Sequence, residues 1–366
     1  MNTPTLSRRS FTKLIGVSTA FTALQPRTSL SASPTPSIVR LSSNENPYGP
    51  AASALKAMTD GFSLAWRYPD EHADMLAEEL SRLHGVPVDQ ILLGDGSGEI
   101  LKLSAASFTS KDRKLVIPNP TFEAIARHAA VAGAEVVKID LTTDYRHDLQ
   151  KMLTAATGAG LVYICNPNNP TASITPKNEL AQFLAKLSPS TIVLVDEAYH
   201  HYVESKDYES VIPLVKQYPN LIVARTFSKI YGMAGLRCGY CVTQRGNITS
   251  MRSHQVWDSV NIMALVAALA SLKDPDHVSR GRALNTEVKK SVSAELDTLG
   301  YRYIPSHANF MMIDLRREVR PVIDAMRSRN VEVGRLFPAL PNFMRVTIGT
   351  GPQMVQFLSV FKEVMA

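Results

Sequence analysis

From about residue 40 onward, short apolar runs alternate with stretches that place apolar residues at helical spacing. Ile91–Leu93, Lys114–Ile117, Glu135–Ile139, Leu161–Cys165, Thr191–Val195, Leu221–Ala224 and Gly239–Thr243 are short and rich in Val, Ile and Leu. Several are followed at once by Gly, Asn or Asp, so these runs predict buried strands. Between them, Glu99–Ser107, Phe122–Ala132 and Lys177–Leu187 predict helices. Such alternation predicts βαβ crossovers, and hence a mostly parallel sheet with helices on both faces. A long helical region, Asp258–Leu272 and then roughly Asp276–Leu299, follows the last of these strands. Strands return near Tyr301–Ile304, Asn309–Asp314, Val331–Val333 and Phe343–Ile348. The expectation is an α/β protein, with a large domain built on the mostly parallel sheet and a smaller C-terminal α+β domain. Residues 1–33 stand apart as a leader, 34–65 as an N-terminal arm, 66–262 as the large domain and 263–366 as the small one.

Charge changes the picture at the N-terminus. The 366 residues are 45% hydrophobic and 20% charged, an ordinary globular balance that excludes a largely disordered chain. The net charge of +6 invites a nucleic-acid or membrane partner. Residues 1–33, however, hold Arg8, Arg9, Lys13 and Arg27 and no acid, which leaves +2 for the rest. A nucleic-acid partner is therefore not expected. The segment reads Ser7-Arg8-Arg9-Ser10-Phe11-Thr12-Lys13, then a weakly apolar stretch, then Ser31-Ala32-Ser33 as a small-x-small cleavage site. That order resembles a twin-arginine export signal and predicts a periplasmic or otherwise exported protein handled by the twin-arginine machinery. This route carries folded proteins, which suits an enzyme that loads a cofactor before export. No apolar run reaches the length of a spanning helix, so no stable membrane insertion is expected. Cys165, Cys238 and Cys241 make no disulfide framework. The last two, three apart on or beside a strand, should face opposite sides as buried thiols. His200-His201 reads as a loop pair near the site mouth, and no metal site is expected.

Polar clusters sit just past the predicted strand ends, where open α/β sheets bind ligands. They are Gly94-Asp95-Gly96-Ser97-Gly98-Glu99, Asn166-Pro167-Asn168-Asn169-Pro170-Thr171, Asp196-Glu197-Ala198-Tyr199, and Arg225-Thr226-Phe227-Ser228-Lys229 with Gly232, Gly235 and Arg237 beyond. Singly, each has a bland reading as a turn or a cap. Together they match the needs of pyridoxal phosphate. Its aldehyde needs a lysine, its ring nitrogen an anion, its phenolic oxygen hydrogen-bond donors, and its phosphate a helix N-terminus with hydroxyls and a cation.

With these residues the chain resembles the fold-type I pyridoxal-phosphate aminotransferases, in the histidinol-phosphate aminotransferase branch. The likeness runs from about Leu41 to the C-terminus. It is carried by Leu41–Gly49, Arg67-Tyr68-Pro69-Asp70, Gly94–Glu99, Pro120-Thr121-Phe122-Glu123, Asn166–Thr171, Asp196–Tyr199, Ser228-Lys229, Gly235-Leu236-Arg237, Ala308-Asn309-Phe310 and Arg345–Gly349. The resemblance implies that Lys229 bonds the cofactor aldehyde as a Schiff base and shuttles the substrate proton. It implies that Asp196 pairs with the ring nitrogen, that Asn169 and Tyr199 bond the phenolic oxygen, and that Phe122 stacks on the ring. Gly96, Ser97, Ser228 and Arg237 would hold the phosphate. Tyr68 would reach the cofactor of a second subunit, which implies a homodimer. Arg345 would grip the substrate carboxylate bidentately, a geometry lysine does not reproduce. Asn309 would join the substrate site.

The resemblance makes Arg335 the positional match for the branch's phosphate-binding arginine, with Tyr48 lining the same pocket. Its context, Gly334-Arg335-Leu336-Phe337-Pro338, departs from the commoner Val-Arg-Pro. An exported enzyme would also not meet the cytoplasmic intermediate histidinol phosphate. The expected reaction is amino transfer between a small-molecule amine and a 2-oxo acid such as 2-oxoglutarate. An aromatic or histidine-like amine is favoured. A decarboxylase resembling threonine-phosphate decarboxylase shares nearly every cofactor residue and stands as the alternative. A non-catalytic cofactor-binding regulator would need an added helix-turn-helix, for which this chain has no room after its leader. Two smaller departures are Gly98, where relatives often carry Asp, and Ala172, where they carry Gly. If that second position requires φ > 0, alanine costs roughly 1 kcal/mol there.

Overall fold

The computed structural model describes residues 38–366, so the leader and its twin-arginine motif lie outside the described residues. In chain order the elements are β1 (Val39–Arg40), α1 (Ala52–Gly61), α2 (Asp70–His84), β2 (Ile91–Gly94), α3 (Gly96–Phe108), β3 (Lys114–Asn119), α4 (Ala124–Val131) and β4 (Val136–Asp140). Next come α5 (Leu149–Ala155), β5 (Ala159–Cys165), α6 (Lys177–Lys186), β6 (Ile192–Asp196), β7 (Leu221–Thr226), β8 (Gly239–Thr243), α7 (Arg245–Arg252) and α8 (Ile262–Leu272). The chain ends with α9 (His277–Thr298), β9 (Arg302–Ile304), β10 (Phe310–Asp314), α10 (Val319–Arg327), β11 (Val331–Glu332), β12 (Phe343–Thr347) and α11 (Gly351–Met365).

The first sheet has seven strands in the order β2-β8-β7-β6-β5-β3-β4. Only β8 runs against its neighbours, so the sheet is mostly parallel as expected. Every residue of β5, β6 and β7 is buried, as befits strands covered on both faces. Alternate side chains divide between two cores. Val162, Ile164, Val193, Val195 and Val223 pack on one face with Leu76, Leu80, Leu180 and Ala264. Leu161, Tyr163, Cys165, Leu194 and Ile222 pack on the other with Ile100, Leu101, Ile125 and Met251. Cys238 joins the first core and Cys241 the second, both as buried free thiols.

A second sheet, β12-β10-β9, is antiparallel, and Met311, Ile313, Met344 and Val346 pack there against Leu296, Val322, Met326 and Phe357. The strand expected at Val331–Val333 forms, but its partner is the N-terminal arm. β1 pairs with β11 in parallel, and Leu41 N–H donates to Glu332 O at 2.7 Å. The arm alternates Val39 and Leu41 inward, so it docks as a strand and brings residues 42–46 toward the first sheet. Helix α8 starts at Ile262 rather than Asp258, because Asn261 caps it by accepting from Ala264 N–H at 2.9 Å. Ala172 has φ +59° and is fully buried, so the left-handed requirement is met by an alanine. No helix among the described residues is long and apolar enough to cross a membrane.

Candidate active site

The carboxyl ends of β5, β6 and β7 open into a cavity of about 660 Å³ that also receives the start of α3, the arm, α10 and β12. Asp196, the last residue of β6, is 3% exposed. Its Oδ1 accepts from Ala198 N–H at 3.1 Å and its Oδ2 from the Tyr163 hydroxyl at 3.0 Å. Burial pushes this carboxyl up to about 6, against the pull of Tyr163, Ala198 and Lys229. Its neighbour Glu197 is spoken for elsewhere, in a buried pair with Arg225 at 2.7 Å. Burial raises the Glu197 carboxyl, but Arg225, His200 and hydrogen bonds bring it below its ordinary range. Asp196 is thus the carboxylate that faces the cavity.

Asn169, just past β5, joins two functional groups. Its Nδ2 donates to Tyr199 Oη at 3.4 Å, and its Oδ1 accepts from Arg345 Nη1 at 2.8 Å. Tyr199 Oη also accepts from Asn44 Nδ2 at 3.0 Å, and burial holds its phenol well above the ordinary range. Arg345 on β12 is 9% exposed and donates from Nη2 to Ser42 O at 2.7 Å, while its Nε has no partner. Burial lowers its pKa to about 10, so it is charged at neutral pH. Lys229 Nζ lies 3.2 Å from Asn44 O and 5.5 Å from the centre of the Tyr199 ring. Burial, then Arg345, pulls this amine down to about 8.

Ser97, Gly98, Ser228 and Arg237 also line the cavity, with Arg237 lying between Ser228 and the start of α3. The chain reverses at Gly96, with φ +71°, and enters α3. A Cβ on Gly96 would collide with the Arg237 guanidinium, so glycine is required for the arginine to lie across the helix start. Arg237 Nη1 reaches Ala234 O at 3.0 Å and Ser228 Oγ at 3.5 Å. Helix N–H groups, a hydroxyl and a guanidinium in one cradle form a phosphate-sized anion site. With Asp196, Lys229 and the Tyr199–Asn169 pair beyond it, the donor set fits pyridoxal phosphate from phosphate to ring nitrogen.

At the rim, Phe122 is 41% exposed and Arg335 half-exposed. Arg335 Nη2 lies 3.0 Å from Glu123 Oε2, and its guanidinium stands 4.4 Å over the Phe337 ring. Gly96 supports the cradle but does not line the cavity.

Three expected site residues lie elsewhere. Tyr48 is 44% exposed and turns outward, because Asn46 Oδ1 accepts its N–H at 3.1 Å while Asn46 Nδ2 is anchored on Ile230 O at 2.8 Å. Asn309 is buried, and its Nδ2 holds Asn44 O at 3.1 Å and Glu45 O at 3.2 Å; it fixes the arm rather than touching the cavity. Tyr68 is 83% exposed beside Trp66 and Arg67, away from this chain's own cavity. Conversely, Asn44 and Tyr163 were not anticipated. The one available signal was a phenol inside the apolar run Leu161–Cys165, which needs a buried partner. His200 Nδ1 lies 3.2 Å from Tyr208 Oη, and among the described residues no three His, Cys, Asp or Glu side chains gather to hold a metal.

The family described as aminotransferase class I and II matches residues 36–361. A histidinol-phosphate aminotransferase of Moorella thermoacetica is 38% identical over 90% of this chain and 86% of its own length. One from Symbiobacterium thermophilum is 39% identical over 90% and 91%. The crystal structure of the Sinorhizobium meliloti histidinol-phosphate aminotransferase in complex with pyridoxal-5'-phosphate superposes with a TM-score of 0.85 at 26% identity, covering 90% of this chain and 91% of that one. The L-threonine-O-3-phosphate decarboxylase of Porphyromonas gingivalis, at 21% identity and TM-score 0.78, shares the fold. The chain belongs to the aminotransferase class I and II family.

Proposed function

We propose that this protein transfers an amino group between an amine of the amino-acid or histidinol-phosphate type and a 2-oxo acid such as 2-oxoglutarate, with pyridoxal 5'-phosphate as cofactor. The observation that carries the reading is the continuous chain of partners from Lys229 through Tyr199 and Asn169 to Arg345 in the cavity that also holds Asp196. When bound, the cofactor supplies an electron-withdrawing ring that stabilises negative charge at the substrate α-carbon. Asp196 holds a proton at the ring nitrogen. Asn169 Nδ2 and the Tyr199 hydroxyl donate to the phenolic oxygen. The Ser97 and Gly98 N–H groups, Ser228 and Arg237 bind the phosphate. Lys229 Nζ, with its pKa near 8, would remove the proton from the substrate α-carbon and deliver it to the cofactor's C4′. Arg345 binds the substrate carboxylate, and its partners Asn169 and Ser42 fix the guanidinium before substrate arrives.

The cavity is also lined by Phe122, Ile323, Val333 and Phe337, and by the charged side chains of Arg320, Asp324, Arg327 and Arg335. Apolar side chains set among Arg320, Asp324, Arg327 and Arg335 support an amine with an aromatic or histidine-like body and a polar or anionic tail. Export is supported by Arg8-Arg9 and by a family match that begins only at residue 36. A homodimer in which Tyr68 serves the other subunit is supported by Trp66, Tyr68 and Trp257. These are 76%, 83% and 91% exposed around two surface hollows that share Asp70.

The test is a half-reaction screen without acceptor. Candidate amines, histidinol phosphate among them, should convert the absorbance of the lysine-bound cofactor and release one oxo product per site without carbon dioxide. No conversion with any amine would refute amino transfer. Turnover of histidinol phosphate far above free amino acids would refute an aromatic or histidine-like amino acid as the preferred donor.

A further inference from the structure

The Tyr163 hydroxyl is the polar tip of a side chain otherwise enclosed by apolar neighbours. Tyr163 is fully buried in the core that holds Leu115, Ile117, Leu161, Leu194 and Ile222. In the sheet it lies beside Leu194, so Asp196 stands two residues further along the neighbouring strand and on the same face. That diagonal lets the phenol reach forward to the carboxylate, where it donates to Oδ2 at 3.0 Å. The other oxygen, Oδ1, is held by Ala198 N–H at 3.1 Å. Each carboxylate oxygen therefore has one fixed donor from the protein.

We propose that Tyr163 is a positioning residue for the cofactor. By clamping Asp196 Oδ2 it holds this carboxylate ionised and oriented to keep the proton on the cofactor's ring nitrogen. The inference rests on the assignment of Asp196 to that nitrogen.

Packing alone does not require the oxygen, since phenylalanine fills the same ring volume. What the oxygen adds is electrostatic. Burial raises the Asp196 carboxyl, and the Tyr163 bond is the first of the groups that oppose this. Tyr163 itself remains a neutral donor, because burial and then Asp196 hold its phenol far above the working range. The other titratable groups around Asp196 are Cys165 on β5, Glu197 beside it in the chain, Tyr199, Lys229 and Tyr208, whose hydroxyl donates to Asn166 O at 3.3 Å. Cys165 turns its thiol to Pro167 O at 3.3 Å. Glu197 faces Arg225, and Tyr199 bonds Asn44 and Asn169. Lys229 favours the charged carboxylate but becomes neutral above about pH 8. Tyr163 is thus the pH-independent side-chain donor on Asp196.

The experiment compares wild type, Tyr163→Phe, Asp196→Asn and the double variant. The first readout is the dissociation constant of pyridoxal phosphate from the apoprotein. The second is the pH titration of the bound cofactor's absorbance, and thermal melting monitors the fold. Tyr163→Phe should melt within a few degrees of wild type and bind the cofactor roughly tenfold to a hundredfold more weakly, the range of a hydrogen bond to a charged group. Its ring nitrogen should lose its proton at lower pH than in wild type, and kcat should fall with the KM for amine unchanged. In the Asp196→Asn background the same change should have little further effect, since the two residues act as one unit. Wild-type cofactor affinity and an unshifted titration in Tyr163→Phe would overturn the proposal. So would an equal loss in both backgrounds. If Asp196→Asn itself binds cofactor like wild type, the assignment of Asp196 fails instead.

Discussion

The two ends of the cavity hold their charges differently. At the Asp196 end, Asp196 is 3% and Arg345 9% exposed, and each makes two hydrogen bonds to groups fixed by the backbone or the core. At the rim, the Arg335 and Glu123 side chains are 53% and 42% exposed and lean on each other. Breaking a buried charged hydrogen bond costs about 1.5–3 kcal/mol, whereas an exposed ion pair contributes about 0–1 kcal/mol. The comparison teaches where the reaction is built in and where substrate choice is adjustable. The buried end holds its groups in place before any substrate binds. At the rim Arg335 is held by an exposed pair with Glu123, which a substrate anion would displace on the proposed function.

The largest test of that contrast is Arg345→Lys. It loses the planar fork and leaves Asn169 Oδ1 unpaired, so kcat/KM should fall about a hundredfold in steady-state kinetics. A similar loss from Arg335→Lys with an amine that carries no distal anion would erase the distinction.

The next effect is on pH. Lys229 must be neutral to bond the cofactor aldehyde, and its pKa is lowered to about 8. Below that pH the charged form dominates and cofactor capture by the apoprotein should slow about tenfold per pH unit. Above it the rate should level off, whereas an ordinary lysine would continue to gain rate toward pH 10. Stopped-flow absorbance across pH 6–10 distinguishes the two.

Arg335→Lys should act more gently. It should change kcat/KM less than about tenfold, and only for amines bearing a distal anion, since its present partner is exposed. Added salt should mimic part of that loss.

The smallest effect concerns Ala172. Relief of its left-handed backbone is worth about 1–2 kcal/mol, but its buried methyl contributes about 0.8 kcal/mol that glycine would forfeit. Ala172→Gly should stabilise by about 0.5 kcal/mol in denaturant melts, with activity unchanged.

The same contrast explains what the sequence disclosed. Asp196 ends a fully buried strand, Asn169 and Ser228-Lys229 stand just past two others, and local pattern places such residues on one edge of the sheet. The two faces of the sheet were legible for the same reason, down to Cys238 and Cys241. What local pattern could not show was contact across the chain. Asn44 meets Tyr199 from 155 residues away and Thr347 from 303. The family resemblance placed Asn309 in the substrate site, yet it bonds Asn44 and Glu45. Tyr48 sits in a motif that approaches the site, but the turn at Asn46 directs it to solvent. These outcomes depend on how the arm docks between two sheets, which no single segment encodes.

On the proposed function, Lys229 is the covalent anchor of the pyridoxal-phosphate site. Purified enzyme should be reduced with borohydride, digested, and its peptides weighed by mass spectrometry. One pyridoxyl group is expected, on the peptide carrying Lys229, and none in Lys229→Ala. A label on another lysine, or no label on wild type loaded with cofactor, would contradict it.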